Sequence, residues 1–406
     1  MLNSQWTYGV EAFHRIVSQC LIRSGTSPIL VDLDLYCVET VEEAHGMLNA
    51  IRPHIARCYS FAISVPQPEW IDLIGQHFGG QLAAKMESMA LRFKPTSPWA
   101  AAYVQSTILQ GAMPLLHTLA LEGLPLTVLN VSLPGLRVFE YKQFEELYSY
   151  PQNAAAVTPM GDLWHVLRQA PNIEELRVEY SSFNIPDEDL IDGFETKVTL
   201  RSLKSLTVGH VDAGFAHVLM ESIDAPELDK LVIRCDPMRH HQDSWWVPKR
   251  WAPHLRTLIL DGFRILDGSP MVSLVRFLSA AKGLKTLSIT TPVTIATHTT
   301  AVPQFFAALG KSTLAGEWLC PELTEFTISH CNLVTGHELL NLIRIREQSR
   351  AVPTIQFLGI KECAGFDVTT MDELETRVPT VFYLPPQSPP IIPPSPVHWH
   401  QGPFYS

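Results

Sequence analysis

The feature that most constrains this chain is a phrase, Leu-x-x-Leu-x-Leu/Ile/Val, that recurs along its length. It stands at Leu116, Leu119 and Leu121, at Ile173, Leu176 and Val178, at Leu203, Leu206 and Val208, and at Leu228, Leu231 and Ile233. It returns at Leu255, Leu258 and Leu260, at Leu284, Leu287 and Ile289, at Leu323, Phe326 and Ile328, and at Ile355, Leu358 and Ile360. Weaker copies read at Cys58, Phe61 and Ile63, at Met86, Met89 and Leu91, and at Leu133, Leu136 and Val138. In every copy the last two apolar positions lie two apart, the spacing by which a β-strand buries one face.

Between copies the period turns helical. Leu163, Val166, Leu167 and Ala170 share one stripe, as do Phe215, Val218, Leu219 and Ile223. Leu274, Val275, Phe277 and Leu278 repeat the pattern, followed by Leu339, Leu340 and Ile343. Each unit reads as a helix, a turn usually carrying Pro or Gly, and a short strand. From Ile173 to Leu284 the first apolar position recurs after 30, 25, 27 and 29 residues. Leucine-rich repeats recur every 20 to 29 residues or so. The next steps, 39 and 32 residues, imply inserted loops. One such unit cannot bury its own apolar face, whereas stacked units share a core. The expected fold class is therefore α/β: a leucine-rich-repeat solenoid, a horseshoe or arc with parallel strands on the concave face and helices on the convex face.

The ends read differently from the middle. Residues 11–23 form an amphipathic helix followed by a turn and an apolar-alternating strand, so residues 1–55 are expected to cap the array. The repeat domain is expected over 56–383. From Leu384 the sequence is dense in proline, and residues 384–406 are expected to be polyproline II or disordered.

Hydrophobic residues make up 46% of the chain and charged residues 17%, which supports a continuous core and opposes a disordered, highly charged chain. The net charge of −11 disfavours a polyanionic partner, so neither nucleic acid nor membrane is expected. The first residues lack the basic start and apolar stretch of a secretory signal, and no apolar run is long enough to span a bilayer. An intracellular protein, cytoplasmic or nuclear, is expected. Its seven scattered cysteines, Cys20, Cys37, Cys58, Cys235, Cys320, Cys331 and Cys363, contain no CxxC pair and are expected to be reduced thiols.

The stretch from Phe13 to Leu35, with Leu21, Arg23, Ser24, Gly25, Pro28, Leu30, Leu33 and Leu35 in a helix–turn–strand phrase, leads into the irregular repeats. In this organisation, over roughly residues 6 to 380, the chain resembles the large fungal family of F-box proteins with leucine-rich-repeat-like C-terminal regions. In that family an F-box opening on a Leu-Pro-x-Glu-like phrase binds the Skp1 adaptor of a ubiquitin ligase, and the repeats hold the substrate. No such phrase stands ahead of Trp6. The resemblance therefore implies a protein-interaction module, the substrate-recognition part of a ubiquitin-ligase receptor. Skp1 is an expected partner only where an F-box precedes this region. A free-standing repeat scaffold with no ubiquitin role is the alternative.

Motifs for chemistry are incomplete. HELLN, from His337 to Asn341, ends in Asn where a zinc-protease helix needs its second His. LGKST, from Leu309 to Thr313, has Phe305 where a phosphate-cradling loop needs its first Gly. His240 and His241, and likewise His398 and His400, lack identifiable further ligands. With no nucleophile elbow either, no enzyme activity, cofactor or metal is expected.

Binding is expected on the strand residues that point away from the core. The first strands supply Glu175, Arg177 and Glu179, then Ser205 and Thr207 beside Gly209, then Lys230, Val232 and Arg234. The later ones supply Thr257, Ile259 and Asp261, then Thr286 and Ser288 beside Thr290, and Glu325 and Thr327 beside Ser329. Trp245 and Trp246, in a loop between repeats, are candidate loop contacts, because Trp is enriched among binding hot spots.

Overall fold

The computed structural model describes residues 10–36, 38–66, 69–78, 85–93, 109–143, 158–181, 183–184, 197–211, 213–235, 247–263, 269–291, 301–310, 318–332 and 334–386. Thirteen strands form one sheet, in chain order and parallel throughout. They are β1 (Ile29–Asp34), β2 (Cys58–Val65), β3 (Ser88–Phe93), β4 (Thr118–Glu122), β5 (Val138–Lys142), β6 (Glu175–Glu179) and β7 (Ser205–Gly209). The sheet continues through β8 (Lys230–Arg234), β9 (Thr257–Asp261), β10 (Thr286–Thr290), β11 (Glu325–Ser329), β12 (Phe357–Lys361) and β13 (Thr380–Leu384). The helices are α1 (Val10–Arg23), α2 (Val41–Ile51), α3 (Glu69–Phe78), α4 (Met160–Gln169), α5 (Ala213–Ser222), α6 (Ser269–Ala280), α7 (Ala301–Leu309), α8 (Gly336–Gln348) and α9 (Val368–Arg377). The protein is thus mixed α/β, a solenoid-like succession of parallel strands and helices.

The repeated phrase accounts for the sheet. Its second position places Leu119, Leu176, Leu206, Leu231, Leu258, Leu287, Phe326 and Leu358 in one row across the strands, all at most 1% exposed. Burying each such side chain contributes about 1.5–3 kcal/mol. The third position makes a second row, and the helix stripes cover both: Leu163, Val166 and Leu167 of α4, Phe215, Val218 and Leu219 of α5, and Leu339, Leu340 and Ile343 of α8 are buried. Residues from Val17 to Val378 belong to a single hydrophobic core.

One copy is corrected. Leu133 and Leu136 are buried, but Val138 lies on the open side of the sheet, between Thr118 and Glu175. The phrase there is Leu136-x-x-Phe139-x-Tyr141, with fully buried aromatic rings at the leucine positions. The end of the array also shifts, because Leu384 closes strand β13 and does not open the tail. Residues 387–406 lie outside the described residues. A third correction concerns the connections. Those from β4 to β5 and from β8 to β9 carry 3-10 turns, Leu126–Val128 and Lys249–Trp251, and the β4–β5 link contains no α-helix.

Local chemistry fixes the ends of the elements. Thr335 caps α8 in a reciprocal capping box with Glu338, which is the role of the acidic residue in HELLN. Gly310 stands just past the end of α7 and donates to the Phe306 carbonyl, so LGKST begins at a helix terminus. Arginines hold the loose carbonyls elsewhere. Arg57 donates to Leu21 (2.7 Å) and Gly25 at the end of α1, and Arg250 donates to Met220 and Glu221 at the end of α5 (2.8 and 2.9 Å). The buried Arg346 uses one nitrogen on the carbonyls of Cys320, Pro321 and Leu323. Past the strands, Gly123, Tyr180, His210, Gly262, His330 and Glu362 all adopt positive φ, between 51° and 72°. Five of these backbone N–H groups, those of Gly123, Tyr180, His210, His330 and Glu362, extend the ladder by bonding the last carbonyl of the next strand.

Candidate functional site

Strand register decides which side chains meet on the open face. Apart from one irregularity at Ile29/Leu30, the pairings carry no register shift. Every expected sheet residue therefore falls in one of three straight rows. The first runs Glu175, Ser205, Lys230, Thr257, Thr286, Glu325. The second runs Arg177, Thr207, Val232, Ile259, Ser288, Thr327, and the third begins Glu179, Gly209, Arg234, Asp261. Trp245 and Trp246 lie outside the described residues, as do His240, His241, His398 and His400.

The third row alternates in charge. It starts earlier than the sequence reading placed it, at Arg92, Glu122 and Lys142, and continues through Glu179 and Arg234 to Asp261. Glu122 lies 4.0 Å from Arg92 and 3.6 Å from Lys142. Arg234 pairs with Glu179 two strands away and sits 3.9 Å from Asp261. The longer reach is possible because the intervening residue is Gly209, where a Cβ would approach Glu179 Cγ to 3.2 Å and Arg234 Cβ to 3.3 Å.

In the second row Arg177 binds Glu140 at 2.8 Å and its strand neighbour Glu175 at 2.7 Å. Partial burial of the guanidinium works against its proton, but the hydrogen bond to Glu175 and the charges of Glu140, Glu175 and Glu179 outweigh it and raise the Arg177 pKa. Beside these pairs the middle row turns apolar, and Thr207 and Val232 are each only 5% exposed. Together Glu140, Arg177, Thr207, Val232, Arg234 and Ile259 line much of a depression of about 290 Å³. Sequence reasoning missed Glu140, Lys142, Arg92 and Glu122. The first two become legible once the phrase is aligned on Phe139 and Tyr141, and the others flank the weak copy at Leu91 and the strong one at Leu121.

At the strand ends, Tyr180 and His210 stack with ring centroids 4.4 Å apart, and the Lys142 ammonium lies 5.5 Å from the Tyr180 centroid. A second line of charge follows the strand starts: Glu174 lies 3.7 Å from Arg137 and 3.1 Å from Lys204, and Asp229 lies 3.3 Å from Arg256. Exposed pairs of this kind contribute about 0–1 kcal/mol each, so the face is poorly explained as a stability device. Its alternating charges suit selection of a partner.

Among the described residues no group of three or more His, Cys, Asp or Glu is placed to hold a metal ion. Elsewhere, His45 Nδ1 and His77 Nε2 lie 2.7 Å apart. Burial, then His45 and Arg52, lower the His77 pKa. No helix among the described residues is long and apolar enough to cross a membrane. Compared with family models and with curated proteins, the chain matches none.

Proposed function

We propose that this chain is a leucine-rich-repeat-type solenoid whose open sheet face holds another protein, and that it serves as the substrate-recognition part of an F-box type ubiquitin-ligase receptor. The observation that carries the binding reading is the face itself. Strands in unshifted register set three rows of polar, charged and small apolar side chains side by side, with no helix among the described residues packed over them. A rigid array of this kind presents preorganised contacts at low conformational cost. The ligase part rests on the resemblance of residues 6–380 to the F-box repeat proteins.

The test places a photo-crosslinking residue at Thr257 or Ser288 on the open face and, as control, at Arg276 on the exposed side of α6. A partner captured from the open-face positions alone supports the binding reading, and equal capture from Arg276 sinks it. The captured partner's half-life is then measured with and without this chain. A shorter half-life in its presence supports the ligase role. An unchanged half-life leaves a free-standing scaffold.

A further inference from the structure

We infer that the depression over β6–β9 anchors the partner, and that it takes an extended segment carrying a large apolar side chain with a carboxylate two residues away. This rests on the open face being the protein-binding surface, and it names the chemistry of what binds there. A cation without an acidic partner among the described residues stands beside a nearly dry floor. Arg177 is held by Glu140 and Glu175, Arg234 by Glu179 and Asp261, and Lys142 by Glu122. Lys230, on the same rim, has no ion pair or side-chain hydrogen bond among the described residues. Its row neighbours are Ser205 and Thr257, neither of them acidic.

Lys230 is exposed, while Val232, two residues along the same strand, is almost closed to water and abuts Ile259. An exposed cation and an apolar floor thus stand two strand residues apart, roughly 6.5–7 Å. Side chains at i and i+2 of an extended peptide have that same separation. An Asp or Glu on Lys230 and a Leu, Ile or Phe on the Val232–Ile259 floor satisfy both at once. Arg177 and Arg234 each already meet two carboxylates, so neither offers the segment an unmet positive charge, whereas Lys230 does.

The experiment selects displayed random heptapeptides on the immobilised full chain and measures the winners by fluorescence polarisation. Winners with Asp or Glu two residues from a large apolar residue are expected. Their affinity should fall about tenfold or more on Lys230→Glu and on Val232→Asp. Lys230→Glu alters an exposed side chain, so its melting temperature should match the parent's. Replacing the peptide's acid with Lys should restore binding to Lys230→Glu. Winners that bind Lys230→Glu unchanged, basic winners, or no winners at all overturn the inference. So does a dimer that dissociates on Lys230→Glu, which would make the occupant a second copy of this chain. Winners indifferent to Lys230→Glu but weakened by Thr327→Arg would leave the open face as the binding surface and remove only this anchor. Winners indifferent to both would remove both readings.

Discussion

Arg234 on β8 pairs with Glu179 on β6 across an intervening strand, because the residue between them, Gly209 on β7, has no side chain. A Cβ there would press on both partners. Gly209→Val is expected to lower stability by about 1 kcal/mol despite valine's preference for strands. Glu179→Gln should cost about 0.5 kcal/mol in the parent and nothing measurable once Gly209 is Val. Urea denaturation of the four proteins of this cycle checks both statements, and additive costs would show that the glycine does not set the pair.

Gly262 is the second glycine that the backbone requires. Its φ is +65°, and a Cβ would lie 2.5 Å from the Cys235 carbonyl oxygen. Gly262→Ala should therefore cost roughly 2 kcal/mol or more, read as a lowered thermal midpoint.

Tyr141 is fully buried, with its hydroxyl 2.7 Å from Thr158 Oγ1 and 3.1 Å from the Gln143 side-chain nitrogen. Burial, opposed by the Thr158 and Gln143 hydrogen bonds, pushes its pKa up to about 12. The unfolded chain's tyrosines titrate near about 10, so the folded state binds this proton more tightly. The resulting stabilisation is complete below about pH 10 and is lost as the pH climbs towards about 12. Urea midpoints across that range should fall less steeply in Tyr141→Phe, and equal slopes would refute the assignment.

Among the described cysteines, Cys20 is exposed and Cys58, Cys235, Cys320, Cys331 and Cys363 are buried. Burial raises the Cys58 thiol to about 11 and the Cys320 thiol to about 12, while hydrogen bonding to Cys331 and burial raise that of Cys363. Alkylation at neutral pH, mapped by mass spectrometry, should modify Cys20 quickly and these five only after denaturant is added. Rapid native labelling of Cys58 or Cys320 would contradict the packing described.

The strands were legible wherever leucine and isoleucine occupied the phrase, as at Leu258 and Leu260. Aromatic residues hid two of them. Phe139 and Tyr141 fill the leucine positions of β5, and Val378, Val381 and Tyr383 keep the same spacing through β13 under a different composition. The missing helix between β4 and β5 has a simple cause. Leu116 and Leu136 are only 20 residues apart, too few for a strand, two turns and a helix. What no pattern reading of one chain reaches is pairing at a distance. Glu179 and Arg234 lie 55 residues apart, and only the shared register of three strands makes them neighbours. The unpaired state of Lys230 is invisible for the same reason.

The unshifted register from β2 to β13 makes copy number an adjustable quantity. Excising residues 230–256 would set Thr257 beside Ser205 and Leu258 beside Leu206, the same kinds of neighbours that Lys230 and Leu231 provide now. The interior would keep its chemistry while the outward array lost a single column. Duplication would do the reverse, so such a chain can gain or lose recognition elements by whole units without redesigning what holds it together.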